Sequence, residues 1–120
     1  MKQTRTLMRR IFQHSQFFLL PLWGFLLLAL NLQGQTQRQY IKAGDEAFAE
    51  YNYRAAMIYY DTVYSIRPDD PEIAHKFAEA ARLYKVYKLA EPAYQSVVES
   101  EGSLEKYPLA RYWLAEAKKS

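Results

Sequence analysis

Beyond Gln35 the apolar positions recur with a helical period, and no stretch shows the strict alternation of a strand. From Arg38 to Glu50, Ile41, Phe48 and several alanines return at helical intervals, and Asn52 marks a turn. Tyr53 to Ile66 sets Ala56, Tyr59, Tyr60, Val63 and Ile66 on one face of an amphipathic helix. Arg67-Pro68-Asp69-Asp70-Pro71 ends that helix and starts the next. Pro68 cannot continue a helix, Asp70 suits an N-cap, and Pro71 suits a first helical position, where no N–H bond is lost. A third helix is predicted over Pro71 to Tyr84 and a fourth over Tyr87 to Glu99, with Pro92 near the start of the fourth. Gly102 breaks the chain, and Pro108 opens a fifth helix running to Ser120. The expected fold class is all-α.

The pattern also repeats. Tyr53, Ala56, Tyr60 and Val63 return 34 residues later as Tyr87, Ala90, Tyr94 and Val97, while Gly44, Asp45 and Ala47 return as Ala78, Glu79 and Ala81. A fixed period in this range marks a repeat array, and 34 is that of the tetratricopeptide (TPR) helix–turn–helix unit. The chain resembles that family from Gln37 to Ser120. One unit offers Tyr40, Ala43, Gly44, Ala47, Ala56, Tyr60, Val63 and Pro68 at the family's signature positions. The next offers Ala74, Phe77, Ala78, Ala81, Ala90, Tyr94, Val97 and Gly102. Ala47 and Ala81 stand where the family usually has tyrosine. Gly102 replaces the closing proline, in a turn about three residues longer.

The resemblance implies a TPR solenoid of two full repeats, 37–70 and 71–107, plus the first helix of a third, 108–120. That third helix carries Leu109, Tyr112, Trp113 and Leu114 around most of its girth, and it is not the polar cap such arrays end on. Leu109, Trp113 and Leu114 are therefore expected to form an exposed repeat end. Either a longer polypeptide continues from it or a partner covers it.

The first 34 residues read differently. Lys2, Arg5, Arg9 and Arg10 precede an uncharged run from Phe17 to Leu30, and Gly34 offers a small-residue exit. This is the layout of a secretory signal peptide cleaved before Gln35, although Leu32 is large for its place. The run is short for a membrane span and is interrupted by Pro21 and Gly24. An uncleaved N-terminal membrane anchor is the alternative. Arg9-Arg10 also fits a twin-arginine signal, but the hydrophobicity beyond it favours the general secretory route. The leader holds four of the 16 basic residues and none of the 13 acidic ones, so the remainder has a formal charge of −1. The pI near 9.1 thus belongs to the leader and gives no argument for nucleic-acid binding. There is no cysteine, hence no disulfide, no thiolate metal site and no lipidated cysteine at the leader junction.

An exported leader followed by Tyr-rich units, with Leu89-Ala90-Glu91-Pro92-Ala93-Tyr94 and Tyr107-Pro108-Leu109-Ala110-Arg111-Tyr112, also resembles the N-terminal TPR segment of Bacteroidetes OmpA-family envelope proteins. Some of those belong to the type IX secretion and gliding apparatus. The resemblance implies a periplasmic or outer-membrane-associated scaffold. It implies a protein partner, or continuation of the same polypeptide, with no nucleic acid and with membrane contact only through an uncleaved leader. The alternative is an inner-membrane-anchored, periplasm-facing protein that forms homo-oligomers through its third repeat.

In a TPR array the first helix of each unit lines an inner groove. The resemblance places Arg38, Ile41, Asp45, Phe48 and Ala49 there, then Glu72, His75, Glu79, Arg82 and Leu83, then Leu109, Tyr112, Glu116 and Lys119. Asp45, Glu79 and Glu116 form an acidic row that would favour a basic or amide-rich peptide. The competing reading is a solvated surface in which Lys76, Arg82 and Lys119 pair with those acids. Most tyrosines are expected to pack between helices with the hydroxyl reaching water. His75 and Glu79, one turn apart, are two metal-type ligands without a third. One histidine outside the leader, no cysteine and no glycine-rich phosphate loop leave no catalytic or cofactor-binding constellation.

Overall fold

The computed structural model describes residues 23–27 and 34–120. Every regular element among them is a helix. Most of the expected leader, and the charged start that defines it, lies outside the described residues. Residues 23–27 are helical, with Trp23, Phe25, Leu26 and Leu27 exposed. Among the described residues no helix is long and apolar enough to cross a membrane. The chain divides into two compact units, Met1–Thr36 and Gln37–Ser120, and the repeating helices belong to the second.

The helices of this second unit are α1 (34–49, entering it at Gln37), α2 (Tyr53–Tyr64), α3 (Pro71–Leu83), α4 (Tyr87–Glu99), α5 (Ser103–Lys106) and α6 (Ala110–Lys119). Local chemistry sets their ends. The Asn52 side chain accepts from the N–H of Ala55 at the start of α2. Asp70 Oδ1 accepts from the N–H of Glu72 at 3.0 Å and of Ile73 at 3.4 Å, with Pro71 at the first position of α3.

Helices α1 and α3 close in the same way. The N–H of Asn52 reaches the carbonyl of Ala47 (2.9 Å) and that of Tyr51 the carbonyl of Phe48 (3.0 Å). Thirty-four residues on, Val86 reaches Ala81 (2.8 Å) and Lys85 reaches Arg82 (2.9 Å). This is the Schellman closure, whose first residue past the cap must be left-handed. Tyr51 (φ 61°) and Lys85 (φ 67°) hold that position, where glycine is usual.

Packing runs in sequence: α2 against α3, α3 against α4, and α4 against α5 and α6. Small residues let the backbones approach. A Cβ on Gly44 would lie 2.5 Å from the Tyr60 ring, so α2 rests directly on α1 there. Ala56, Ala74, Ala78, Ala81, Ala90 and Ala93 are fully buried, and Tyr60, Phe77, Tyr94 and Val97 fill the space between them. Each large side chain so buried contributes roughly 1.5–3 kcal/mol.

Several expectations need correction. Helix α2 stops at Tyr64. Ile66 lies past its end and is 59% exposed, and Tyr59, placed on the buried face by its spacing, is at 36%. Pro92 is the sixth residue of α4, deeper than a free first turn, and it leaves the carbonyl of exposed Lys88 without its helical donor. The long turn after α4 contains a helix of its own, α5, entered through left-handed Gly102 (φ 75°). Helix α6 starts at Ala110 because Pro108 and Leu109 form a turn, with the N–H of Ala110 bonded to the carbonyl of Tyr107.

The repeat end also differs from expectation. Leu114 is only 8% exposed and packs into the core with Ala110 and Ala117 against α4. Trp113 is half-buried beneath Arg82, whose Cζ lies 3.8 Å from the ring centroid. Leu109 alone of the three is open to solvent. The outward stripe of α6 is Arg111, Ala115 and Lys118, all exposed and two of them charged. Spacing suggested hydrophobicity around most of this helix, but α4 and Arg82 draw Leu114 and Trp113 inward and leave Tyr112 exposed.

Candidate functional site

Two concavities lie along the first helices of the repeating hairpins, and four of their lining positions correspond. The first, of about 370 Å³, is lined by Asp45, Phe48 and Ala49 of α1, Tyr60 of α2, and His75, Lys76 and Glu79 of α3. The second, of about 280 Å³, is lined by Arg82 and Leu83 of α3, Lys85 in the turn, Tyr87 of α4, Trp113, Glu116 and Ala117 of α6, and Ser120. Arg82 and Leu83 stand 34 residues after Phe48 and Ala49. Trp113 and Glu116 stand 37 after Lys76 and Glu79, the extra three being the length added around α5.

Of the residues expected in a groove, Asp45, Phe48, His75 and Glu79 meet in the first cavity and Arg82 and Glu116 in the second. Arg38, Ile41 and Tyr112 line neither. Arg38 and Tyr112 are exposed and Ile41 is half-buried. Tyr112 sets its ring edge-on to Trp113 at 4.8 Å.

The acidic row is not a bare one. Asp45 Oδ1 accepts from the Tyr60 hydroxyl and from Lys76 Nζ, both at 2.6 Å. Glu79 Oε1 accepts a short bond from the Tyr94 hydroxyl, and Oε2 accepts from Arg82 Nη2 at 2.7 Å. Arg82 Nε donates to the Tyr94 hydroxyl oxygen at 3.0 Å and closes the triangle. Glu116 pairs with Lys119 at 3.1 Å. The three cations are those named by the solvated-surface reading, but tyrosine hydroxyls take part too.

Tyr60 and Tyr94 thus donate inward rather than to water, each to the acid fifteen residues before it. Burial, then the bonded carboxylate, pushes both phenols well above their ordinary range. Burial works against the charge on Arg82, but its bonds to Glu79 and Tyr94 outweigh that and raise its pKa.

His75 forms one wall. Its ring stacks on Tyr107, with centroids 4.0 Å apart and planes 18° from parallel, and it meets Tyr94 edge-on at 6.4 Å. Burial lowers its pKa, and the Glu79 carboxylate, 3.9 Å from Nε2, only partly opposes that. Among the described residues no group of three potential metal ligands comes together.

Sequence reasoning missed the Tyr60–Asp45 and Tyr94–Glu79 bonds, although a fifteen-residue spacing repeated at a period of 34 carried them. It also missed Lys85 and Tyr87 as groove residues. No family model, curated protein or solved structure matches this chain.

Proposed function

We propose that residues Gln37–Ser120 form a TPR-type solenoid that acts as a non-enzymatic protein-binding scaffold, exported to the cell envelope by the N-terminal leader. The supporting observation is that successive hairpins each carry a concavity, with four lining positions related by the repeat: Phe48 and Arg82, Ala49 and Leu83, Lys76 and Trp113, Glu79 and Glu116. Duplicated concave surfaces on stacked hairpins are how such arrays hold extended partners. The envelope placement rests on the leader pattern and on the resemblance to OmpA-family TPR segments.

A photo-crosslinking side chain at exposed Ala49, inside the first groove, is expected to trap protein adducts in the native host. The same group at Thr62, on α2 and outside both grooves, is expected to trap none. Equal adducts from both positions, or none from either, would sink the scaffold reading. Amino-terminal sequencing addresses export: a terminus at Gln35 fits release, whereas an intact leader in the membrane fraction fits the anchored alternative.

A further inference from the structure

The first groove carries charge on its rim, yet each of its carboxylates already holds a cation. Both oxygens of Glu79 are taken, one by Tyr94 and one by Arg82, and the Asp45 carboxylate holds Lys76 and Tyr60. A basic side chain entering the groove would meet Lys76 beside Asp45 and Arg82 beside Glu79, and both would repel it. An acidic side chain would face two carboxylates. What remains for a ligand is the uncharged surface between them: the Phe48 ring, Ala49 and the part of the His75 ring that Tyr107 leaves uncovered. Burial disfavours the charged form of His75, so what it adds is aromatic surface.

We propose that this groove selects a peptide segment by one large uncharged side chain, aromatic or branched aliphatic, seated between Phe48, Ala49 and His75. This departs from the preference for basic or amide-rich peptides expected from the sequence. It rests on the protein-binding reading above and names the recognised chemistry. Charge complementarity argues for that occupant, because a site with two carboxylates matched by two cations is complementary to a neutral group. At about 370 Å³ the cavity lies near the lower end of ordinary ligand clefts, roughly 300–1,000 Å³, and suits one side chain rather than a whole helix face.

The test uses the full chain and three capped, dye-labelled hexapeptides, identical except for a central Phe, Lys or Glu. By fluorescence anisotropy the Phe peptide should bind about tenfold or more tighter than the other two, the difference expected from burying one aromatic side chain. Ala49→Arg should abolish that advantage while leaving the circular-dichroism melt unchanged, since Ala49 is exposed. Equal or tighter binding of the Lys peptide overturns the proposal, as does Phe-peptide binding that Ala49→Arg does not weaken. If no peptide binds while Ala49 still crosslinks to protein in the host, the side-chain preference falls and the scaffold reading stands. If neither occurs, both fall.

Discussion

Lys85 holds a backbone conformation that suits glycine, and replacing it should stabilise the protein. At φ 67° an L-residue brings its Cβ against its own carbonyl, at a cost of roughly 1–2 kcal/mol. Glycine removes that clash but enlarges the unfolded ensemble, which returns about 0.4–1 kcal/mol. The net expectation for Lys85→Gly is a gain of about 0.5–1 kcal/mol. For a domain of this size, about 1 kcal/mol corresponds to roughly 4–8 °C in Tm, so the melt should rise by about 2–8 °C. The Schellman bonds from Lys85 to Arg82 and from Val86 to Ala81 are backbone bonds and survive the change. Paired thermal and urea unfolding, followed by far-ultraviolet circular dichroism, reads the effect. Lys85→Ala is the control, because it keeps the Cβ and should gain nothing. A glycine variant that melts at or below the wild type refutes the argument, and so does an alanine variant that gains equally. Tyr51→Gly should gain less, since it gives up the edge-on contact of the Tyr51 ring with Tyr53 at 6.3 Å.

The packing and the groove lead to three further outcomes. Gly44→Ala places a methyl 2.5 Å from a buried ring, so it should displace Tyr60 and cost about 1–3 kcal/mol in urea unfolding; an unchanged midpoint would mean that α1 and α2 separate freely. Tyr94→Phe leaves the Glu79–Arg82 pair without its third member and should cost roughly 1–3 kcal/mol, whereas a neutral result would make the hydroxyl dispensable. His75 has a lowered folded pKa, so folding favours its neutral form. Its contribution is fully present above the ordinary histidine value of 6.5 and is lost as pH falls through that value toward the folded pKa. His75→Gln should therefore show a smaller drop in Tm between neutral and mildly acidic buffer than the wild type, and parallel drops would refute this.

Much of the helical framework was legible because capping and breaking residues act locally. Asp70 and Pro71 place the start of α3 whatever surrounds them, and the Ala and Tyr positions at a period of 34 mark the faces that pack. Burial by distant neighbours was not legible in the same way. Leu114 and Trp113 look exposed on a helical wheel, but α4 covers one and a single guanidinium covers the other. The groove acids were legible as an acidic row. Their neutralisation depends on side chains 15 and 31 residues away meeting in space, as Tyr60 and Lys76 do at Asp45. The αL residues Tyr51 and Lys85 were hidden because neither is a glycine, the usual signal for that conformation.

The stacking of His75 on Tyr107 has a consequence for modularity. Tyr107 lies in the connection past α5, so the ring that backs the His75 wall of the first groove comes from the segment leading into the following hairpin. The first two hairpins are therefore not interchangeable cassettes. Moving residues 37–106 onto another helical array would transfer every residue that lines the groove while leaving behind the ring that backs His75. Trimming the three extra residues of the connection to restore an even period would do the same without touching any groove residue on α1 or α3.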